Sequence, residues 1–466
     1  MADLLLELLS EEIPARMQAE AAEQLRTRFC ALLSAAGLSA DGIEADVTPR
    51  RLVLRAGGIP ATSTPTREER RGPRADAPDA AIAGFLKSTG LARADLVERS
   101  DPRGTFLFAV IDRPGRPAAD LFAEHLPALI DGFSWPKSQR WGPASASTAS
   151  PRWVRPLRGI VALLDADIIP FAALGVESGR RTFGHRFMSS GPIDIDHAAT
   201  HADQLREAHV ILSAAERAAI IRDGAGRLAA AAGGTLIADP GLEAENAGLA
   251  EWPVPLAGRF DPAFLAVPRE VIQLSMRTNQ KYFALNDANG ALAPAFVCVA
   301  NLAAADGGAA IIAGNERVLS ARLADARFFW EQDRAVPLDD LLPRLDQRLY
   351  FEGMGTMLAK AARNEALAGD LWQRLGGDPA EGALARRAAL LAKADLVSAT
   401  VGEFPELQGI IGGHVAAAFG EPAEFVAAIA EQYGSGPTNR VSVCVGLADR
   451  VDTLAAFFAR GRRPTG

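Results

Sequence analysis

The chain has 466 residues, which corresponds to roughly three domains at about 150 residues each. Hydrophobic residues make up 48% and charged residues 23%, so a disordered or fibrous chain is excluded. There are 49 Lys and Arg residues against 57 Asp and Glu residues, which gives a net charge of −8. Any contact with nucleic acid must therefore come from local basic clusters.

The cysteines and the amino-terminal segment bear on the compartment. Cys30, Cys298 and Cys444 are far apart and form no CxxC pair, which argues against a disulfide framework and favours a reducing cytoplasm. Residues 1–12 contain acidic side chains and lack the basic region of a signal peptide. No apolar run reaches the ~18 residues that a membrane-spanning helix needs, so we expect no membrane partner.

Hydrophobic periodicity predicts alternating strands and helices in the first part of the chain. A buried strand is predicted at 3–9, and an amphipathic helix from Ala15 to Ala36 is predicted to end at Gly37. Residues 61–78 are rich in Thr, Pro, Arg and Asp, which predicts a linker or a long exposed loop. The other elements predicted here are a strand near 51–55, a helical pattern over 79–100, a strand at 105–112 and a helix at 118–132.

The pattern changes twice further along the chain. From about residue 152, short apolar runs between turn residues predict strands at 160–164, 168–174, 264–267, 281–285 and 295–300, interrupted by helices at 198–207 and 214–232. After about residue 315 the apolar spacing is helical, with helices predicted at 384–400, 422–432 and 441–458. The sequence therefore predicts a multidomain α+β protein, with mixed α/β amino-terminal and middle modules followed by an all-helical domain.

Common catalytic motifs are missing from the sequence. It contains no GxxxxGK[ST] phosphate loop, no HExxH and no GxSxG, and Gly353-Met354-Gly355 is predicted to be a turn. His197 and His201 are four residues apart, but the sequence offers no nearby third metal ligand. We therefore expect two surface histidines there.

Three aspartates in the helical region resemble part of a metal site. Asp395, Asp449 and Asp452 lie on two predicted helices, and Lys393-Ala394-Asp395 followed later by Ala448-Asp449 resembles an HD-type phosphohydrolase domain. Alanine stands where the motif histidine belongs, and the only histidine of this region is His414, so a metal lacks ligands. We expect a non-catalytic domain in which these carboxylates cap backbone groups, pair with arginine or bond to partners.

Five basic clusters lie at 49–52, 135–142, 151–158, 180–188 and 275–283, and all but the first contain aromatic residues. Cations next to aromatic rings can bind phosphates and stack on bases. The alternative is a solvated basic face, or arginines packed on their own aromatic neighbours. Our candidates for nucleic-acid-binding residues are Arg50, Arg51, Lys137, Arg140, Arg155, Arg186 and Lys281.

A resemblance to a known family rests on segments that occur in a fixed order along the chain. They include Thr182-Phe183-Gly184-His185-Arg186-Phe187 and Asn279-Gln280-Lys281-Tyr282-Phe283, and the full set is 8–14, 48–52, 71–73, 140–142, 154–156, 182–187, 251–253, 279–283, 314–319, 322–326, 393–396, 402–409 and 447–453. Together they resemble the β subunit of the bacterial heterotetrameric glycyl-tRNA synthetase over the whole chain.

This resemblance implies a division of labour. The α subunit of the family holds the glycine and ATP site, whereas the β subunit binds tRNA(Gly) and completes an α2β2 assembly. The chain is then a subunit of an aminoacyl-tRNA synthetase, with no catalytic residue, metal or cofactor of its own, and the holoenzyme uses ATP with Mg. The middle modules resemble those of the phenylalanyl-tRNA synthetase β subunit, and the helical region resembles the family's degenerate HD-type domain.

The resemblance also gives expected domain boundaries. We expect an N-terminal α/β segment at 1–60, a linker and small α/β module at 61–140, a middle α/β tRNA-binding or structural module at 141–330 and a helical HD-like domain at 331–466. Family members continue into an anticodon-binding domain, so we expect this sequence to be truncated at its carboxyl end and to lack that domain.

Two other functions stay open at this point. One is an HD-type metal phosphohydrolase acting through Asp395 and Asp449, which stoichiometric metal with phosphatase turnover would favour. The other is a scaffold, either RNA-binding or free of RNA. Salt-sensitive binding of tRNA would exclude the RNA-free scaffold.

Overall fold

The computed structural model describes residues 1–148, 150–378 and 382–463. The strands within them are β1 (Ala2–Ser10), β2 (Gly42–Val47), β3 (Arg51–Ile59), β4 (Thr66–Arg74), β5 (Leu96–Asp101), β6 (Gly104–Arg113), β7 (Gln139–Arg140), β8 (Arg152–Trp153), β9 (Leu157–Leu164), β10 (Asp167–Ile168), β11 (Ala172–Ala173), β12 (Val176–Gly179), β13 (Arg181–Phe183), β14 (Pro192–Asp194), β15 (Thr235–Leu236), β16 (Val254–Arg259), β17 (Phe283–Asn286) and β18 (Leu292–Ala300).

The α-helices within the same residues are α1 (Ala15–Ala36), α2 (Asp79–Thr89), α3 (Ala118–Asp131), α4 (His201–Glu207), α5 (Ala214–Ala231), α6 (Pro240–Ala247), α7 (Arg269–Ser275), α8 (Ala309–Asp333), α9 (Leu338–Leu341), α10 (Met357–Arg374), α11 (Gly382–Leu391), α12 (Ala399–Glu403), α13 (Ile410–Ala418), α14 (Ala423–Ala430) and α15 (Arg440–Ala459). None of these described helices is both long enough and apolar enough to cross a membrane. Cys30, Cys298 and Cys444 are free thiols.

The chain divides into two compact units. Unit 1 comprises Met1–Gly224, Pro240–Pro255 and Val299–Ala305, and unit 2 comprises Ala225–Asp239, Leu256–Cys298 and Asp306–Gly466.

Unit 1 is built on a sheet in which the strands lie in the order β11-β12-β9-β1-β3-β2, with β10 also paired to β9. The central strand β1 is antiparallel to both β3 and β9, with Leu6 opposite Leu54 and Ala162. A strand covered on both faces has no solvent side, which explains why 3–9 is a nearly continuous apolar run. This sheet joins strands from the predicted 1–60 segment with β9 from the predicted 141–330 module.

The two faces of β1 contribute to different cores. Leu4, Leu6 and Leu8 pack with Phe29 of α1 and Phe122 of α3. On the opposite face, Leu5 packs with Leu205 of α4. Helix α1 has the predicted bounds, because Gly37 adopts a left-handed conformation with φ of 66° and its N–H bonds to the last-turn carbonyls.

A small module at 66–113 differs from the prediction. Residues 66–74 form strand β4 rather than a linker, and the predicted helix 79–100 ends at Thr89, with strand β5 following. The order is β4-β6-β5, antiparallel throughout. Strand β4 has the composition of a loop because the apolar side chains beside it in the sheet belong to β6 and not to β4 itself. Helix α2 buries Ile82. It ends at Gly90, which has a left-handed backbone with φ of 71°.

Unit 2 contains a small sheet in the order β15-β17-β18-β16 and the helices that follow it. Phe296 of this sheet and Leu323 and Trp330 of α8 belong to one apolar core that continues through α10 to α15. The strand predicted at 264–267 is instead a 3₁₀ turn, Pro262–Ala266, because the Asp261 side chain accepts a hydrogen bond from the Ala263 N–H and a proline follows Asp261.

Candidate nucleic-acid interface and buried charge clusters

Arg51 is the first residue of β3, and its side chain is fully buried. Its guanidinium pairs with Glu251 and Glu7 and donates a hydrogen bond to the Phe183 carbonyl. Burial lowers the pKa of Arg51, but the charges of Glu251 and Glu7 outweigh burial and raise the pKa above its ordinary value. A side chain without solvent exposure offers no surface to a phosphate, so we withdraw Arg51 as a tRNA-binding residue.

Glu7 is a buried carboxylate in the middle of β1. His201 Nε2 lies 2.6 Å from Glu7 Oε2. Burial raises the pKa of Glu7, but the His201 hydrogen bond and the charges of His201 and Arg51 together hold the pKa below its ordinary value. The prediction of two surface histidines is therefore wrong for His201, which is buried as the partner of Glu7. The His197 side chain is 38% exposed and lies at the start of a short 3₁₀ turn.

A cluster of possible metal ligands surrounds His197. One ligand atom each from Asp3, Asp165 and His197 lies within 4.8 Å of the others. Asp165 accepts a hydrogen bond from the Asp3 backbone N–H at 2.7 Å and lies 3.7 Å from His197 Nε2. These contacts account for the cluster, and we assign no metal to it.

Three of the predicted basic clusters meet around Glu11. Arg186 pairs with Glu11 at 2.8 Å and with Glu12 at 2.7 Å, and Arg158 pairs with Glu11 at 2.7 Å. Arg50 is half-buried, and burial together with the charges of Arg51 and Arg186 lowers its pKa, although the charges of Glu251 and Glu11 oppose the shift. We call Arg50, Arg158 and Arg186 the Glu11 cluster. It joins cations from the segments 49–52, 151–158 and 180–188.

Lys137 and Arg140 are exposed and lie on a loop that ends in the short strand β7. Trp135 of the same segment packs against Trp153, with ring centroids 5.0 Å apart. Trp135 and Trp141 both contact the core of unit 1. The two tryptophans therefore anchor the segment to the core of unit 1, and the two cations lie on the exposed side of the segment.

The last two candidates, Arg155 and Lys281, donate hydrogen bonds to backbone carbonyls of nearby residues. Arg155 is half-buried and donates to the neighbouring Val154 carbonyl at 2.8 Å. Lys281 belongs to unit 2 and has a left-handed backbone, with φ of 59°, directly after a π turn at Met276–Gln280. Its ammonium donates to the Thr278 carbonyl at 3.1 Å.

Asp395, the aspartate of the HD-like segment, is buried and accepts hydrogen bonds from two backbone N–H groups. Its Oδ2 lies 2.6 Å from the Gly409 nitrogen and 3.0 Å from the Gly412 nitrogen. It therefore caps the start of α13, as one of the predicted roles states. Burial raises the pKa of Asp395 to about 6, although the two hydrogen bonds act in the opposite direction.

Asp395→Asn gives a pH-dependent change in stability. Because the folded pKa of about 6 lies above the ordinary 3.8, the folded wild type binds more protons than the unfolded chain between those values, and its free energy of unfolding falls as the pH rises through that range. Asparagine keeps an oxygen for the glycine N–H groups and does not titrate. Urea unfolding should shift in favour of the variant between pH ~4 and ~6, by at most about 3 kcal/mol. A shift toward the wild type would contradict this assignment.

Asp449 carries a buried charge network on α15. Its Oδ1 lies 3.0 Å from Lys360 Nζ and its Oδ2 lies 3.0 Å from Lys393 Nζ. Lys360 also pairs with Asp452 at 3.0 Å, and Asp452 pairs with Arg363. Burial lowers the pKa of Lys393 to about 8, although Asp449 opposes the shift. Both oxygens of Asp449 are thus taken by ammonium groups of the chain itself.

This arrangement differs from a metal phosphohydrolase site. Asp395 binds backbone N–H groups, Asp449 binds two lysines, and Ala394 in the histidine position is fully buried. His414 pairs instead with Glu270 at 3.0 Å. Neither lysine is among the site residues predicted from the sequence. Lys393 could have been found from its place in an apolar helical pattern, since a buried lysine needs a counter-charge.

Comparison with known proteins gives the family. The model of the family described as glycyl-tRNA synthetase beta subunit matches residues 4–466. Relatives named glycine–tRNA ligase beta subunit, from Rhodospirillum centenum, Phenylobacterium zucineum and Paracoccus denitrificans, are 47%, 48% and 46% identical to this chain. Each alignment covers 100% of this chain and, respectively, 69%, 70% and 69% of the relative. This chain belongs to the glycyl-tRNA synthetase beta subunit family.

Proposed function

We propose that this chain is the non-catalytic tRNA-binding and assembly subunit of glycine–tRNA ligase, and that it supports the ATP-dependent attachment of glycine to tRNA(Gly). The observation that carries the proposal is the family match, which extends over residues 4–466. In this account the chain works in the cytoplasm, within an α2β2 assembly.

The α subunit supplies the chemistry in this proposal. It binds glycine and ATP with Mg, and this chain binds no cofactor. The state of the acidic groups in unit 2 supports that view, because Asp395 and Asp449 are engaged by backbone N–H groups and lysines of the same chain. We propose that unit 2 contains a degenerate HD-type domain, and that the middle of the chain contains modules like those of the phenylalanyl-tRNA synthetase β subunit.

A basic surface of unit 1 supports the tRNA-binding role. The Glu11 cluster brings together cations from three segments, and Arg155 lies in one of those segments. Arg186 is ion-paired with glutamates in the free chain, so a phosphate would have to replace those carboxylates. Lys137, Arg140 and Lys281 are further candidates for contact with tRNA(Gly).

Two experiments test the division of labour. Highly purified chain alone should show no glycine-dependent exchange of pyrophosphate into ATP, and should form no glycyl-adenylate. It should be retained by an immobilised α subunit. Exchange activity that follows this chain through purification, or failure to bind the α subunit, would refute the proposal.

The double charge reversal Lys137→Glu with Arg140→Glu tests the loop beside Trp135. If both cations contact phosphates, tRNA binding should weaken to all tRNAs alike, because phosphate contacts carry no base information. The log–log plot of affinity against salt should also become flatter, by roughly 0.7–0.9 per lost phosphate contact. Arg344→Glu with Arg374→Glu in unit 2 gives the same change in net charge and is the control. Equal effects of the two double variants would exclude the loop from the tRNA surface.

A further inference from the structure

The small module at 66–113 has helix α2 on one face of its sheet, and the other face, which we call the open face, carries side chains that are partly exposed. In antiparallel strands, directly opposed residues place their side chains on the same face. Arg70 stands opposite Ala109, and its guanidinium reaches the Ser88 carbonyl of α2, so this is the helix side of the sheet. Ala109 of the central strand β6 lies on this helix side. Phe106 and Phe108 are an odd number of residues away from Ala109 on the same strand, so they point to the other side.

The open face carries two stacks of guanidinium on phenyl ring. The guanidinium carbon of Arg71 lies 3.7 Å from the ring centroid of Phe106, and that of Arg99 lies 5.2 Å from the centroid of Phe108. Arg71 comes from β4 and Arg99 from β5, so the two outer strands each send one arginine over the central strand. Val97, on the same face, is 41% exposed.

Each arginine is held over its ring by a carboxylate from the opposite outer strand. Arg71 pairs with Asp101 at 3.0 Å, and Arg99 pairs with both oxygens of Glu69, at 2.8 and 2.9 Å. All four side chains are between 37% and 47% exposed. Both ion pairs are therefore in contact with water, where such pairs add little stability. The ion pairs therefore hold the guanidinium groups over the rings and leave them able to bind another group.

We propose that Arg71, Arg99, Phe106 and Phe108, which we call the Arg–Phe face, bind unpaired nucleotides of tRNA. Aromatic rings at alternate positions of a central strand and guanidinium planes both stack on exposed bases. Strand β4 adds charge complementarity, because its nine residues hold four arginines and two glutamates in a chain of net charge −8. This inference rests on the proposed tRNA-binding function and adds the surface and the part of the RNA that it binds.

Removal of the rings is the first test. Phe106→Leu with Phe108→Leu keeps apolar side chains on the sheet and removes the stacking surface. The full-length chain carrying both changes should bind tRNA(Gly) roughly tenfold or more weakly, the loss expected when one or two base stacks disappear. A single-stranded RNA oligonucleotide should compete with tRNA for the wild type, and a double-stranded RNA of equal length should compete less. Thermal unfolding of both proteins checks that the variant is folded.

Removal of the carboxylates tests the same face with the opposite sign. The single variant Asp101→Asn releases Arg71 from its ion pair, and the single variant Glu69→Gln releases Arg99. In each variant the affinity for tRNA should rise severalfold, with a steeper dependence on salt. Glu68→Gln is the matched control, because Glu68 is next to Glu69 on β4 but stands opposite Ile111, on the helix side. It makes the same change in net charge. A purely structural role for the ion pairs predicts no gain in affinity.

The outcomes separate this inference from the proposed function. If the wild type binds tRNA and the ring variant binds equally well while folded, the Arg–Phe face is not the binding surface, and the proposed function stands. Equal gains in Glu69→Gln and Glu68→Gln would also refute the inference. If the wild type binds no tRNA at all, both the inference and the tRNA-binding part of the proposed function fail.

Discussion

Replacing Arg51 by methionine is expected to lower the free energy of unfolding by about 3–5 kcal/mol, because it leaves buried carboxylates without their cation. Glu251 and Glu7 both pair with this guanidinium, and all three side chains are almost fully buried. Methionine fills much of the volume but offers no charge and no donor. The loss should appear in urea unfolding at neutral pH.

The neighbouring residue provides the control for this change. Arg50 is only half-buried, so Arg50→Met should cost much less stability. Adding Glu251→Gln to Arg51→Met should restore part of the lost stability, because the uncompensated charge is removed. A folded Arg51→Met protein with wild-type stability and lost tRNA binding would contradict the structural role and return Arg51 to the tRNA surface.

Asp449→Asn is expected to destabilise the folded chain by a similar ~3–5 kcal/mol, since two buried lysines lose their shared carboxylate. The deficit should shrink as the pH rises from 7 to 9. In the wild type the pKa of Lys393 is about 8, below its ordinary 10.5, and without Asp449 it falls further. A lysine with a lowered folded pKa loses its proton on folding, so stability rises with pH between the folded and unfolded values.

A metal site at the same residues predicts other results. If Asp449 bound a metal, Asp449→Asn would release that metal, and chelators would mimic the variant. In our account, metal content by elemental analysis is the same for the variant and the wild type, and Lys393→Met added to Asp449→Asn recovers part of the stability. Stoichiometric metal that disappears with Asp449→Asn, together with phosphatase turnover, would refute this account.

Elements with a strong local signal were predicted from the sequence. Strand β1 follows from its apolar run, and α1 from its periodicity and from Gly37 at its end. Strand β4 could not be predicted, because it pairs with the apolar strand β6, which lies some forty residues further along the chain and outside any local sequence pattern.

The buried charges show the same limit more clearly. Arg51 looks like a surface cation in its local sequence, and its partner Glu251 lies 200 residues away. His201 lies 194 residues from Glu7. A sequence pattern reports hydrophobic periodicity over a few turns, and it contains no information on which distant carboxylate neutralises a given cation. The convergence of three basic segments at Glu11 was likewise visible only in the fold.

Glycylation of tRNA(Gly) by the α subunit, measured with and without this chain, shows whether charging depends on the β subunit. With glycine, ATP and Mg present, the α subunit alone should charge tRNA poorly, this chain alone should not charge it, and the mixture should restore charging in proportion to the α–β complex formed. Charging by the α subunit that is equally fast without this chain, or charging by this chain alone, would contradict the account.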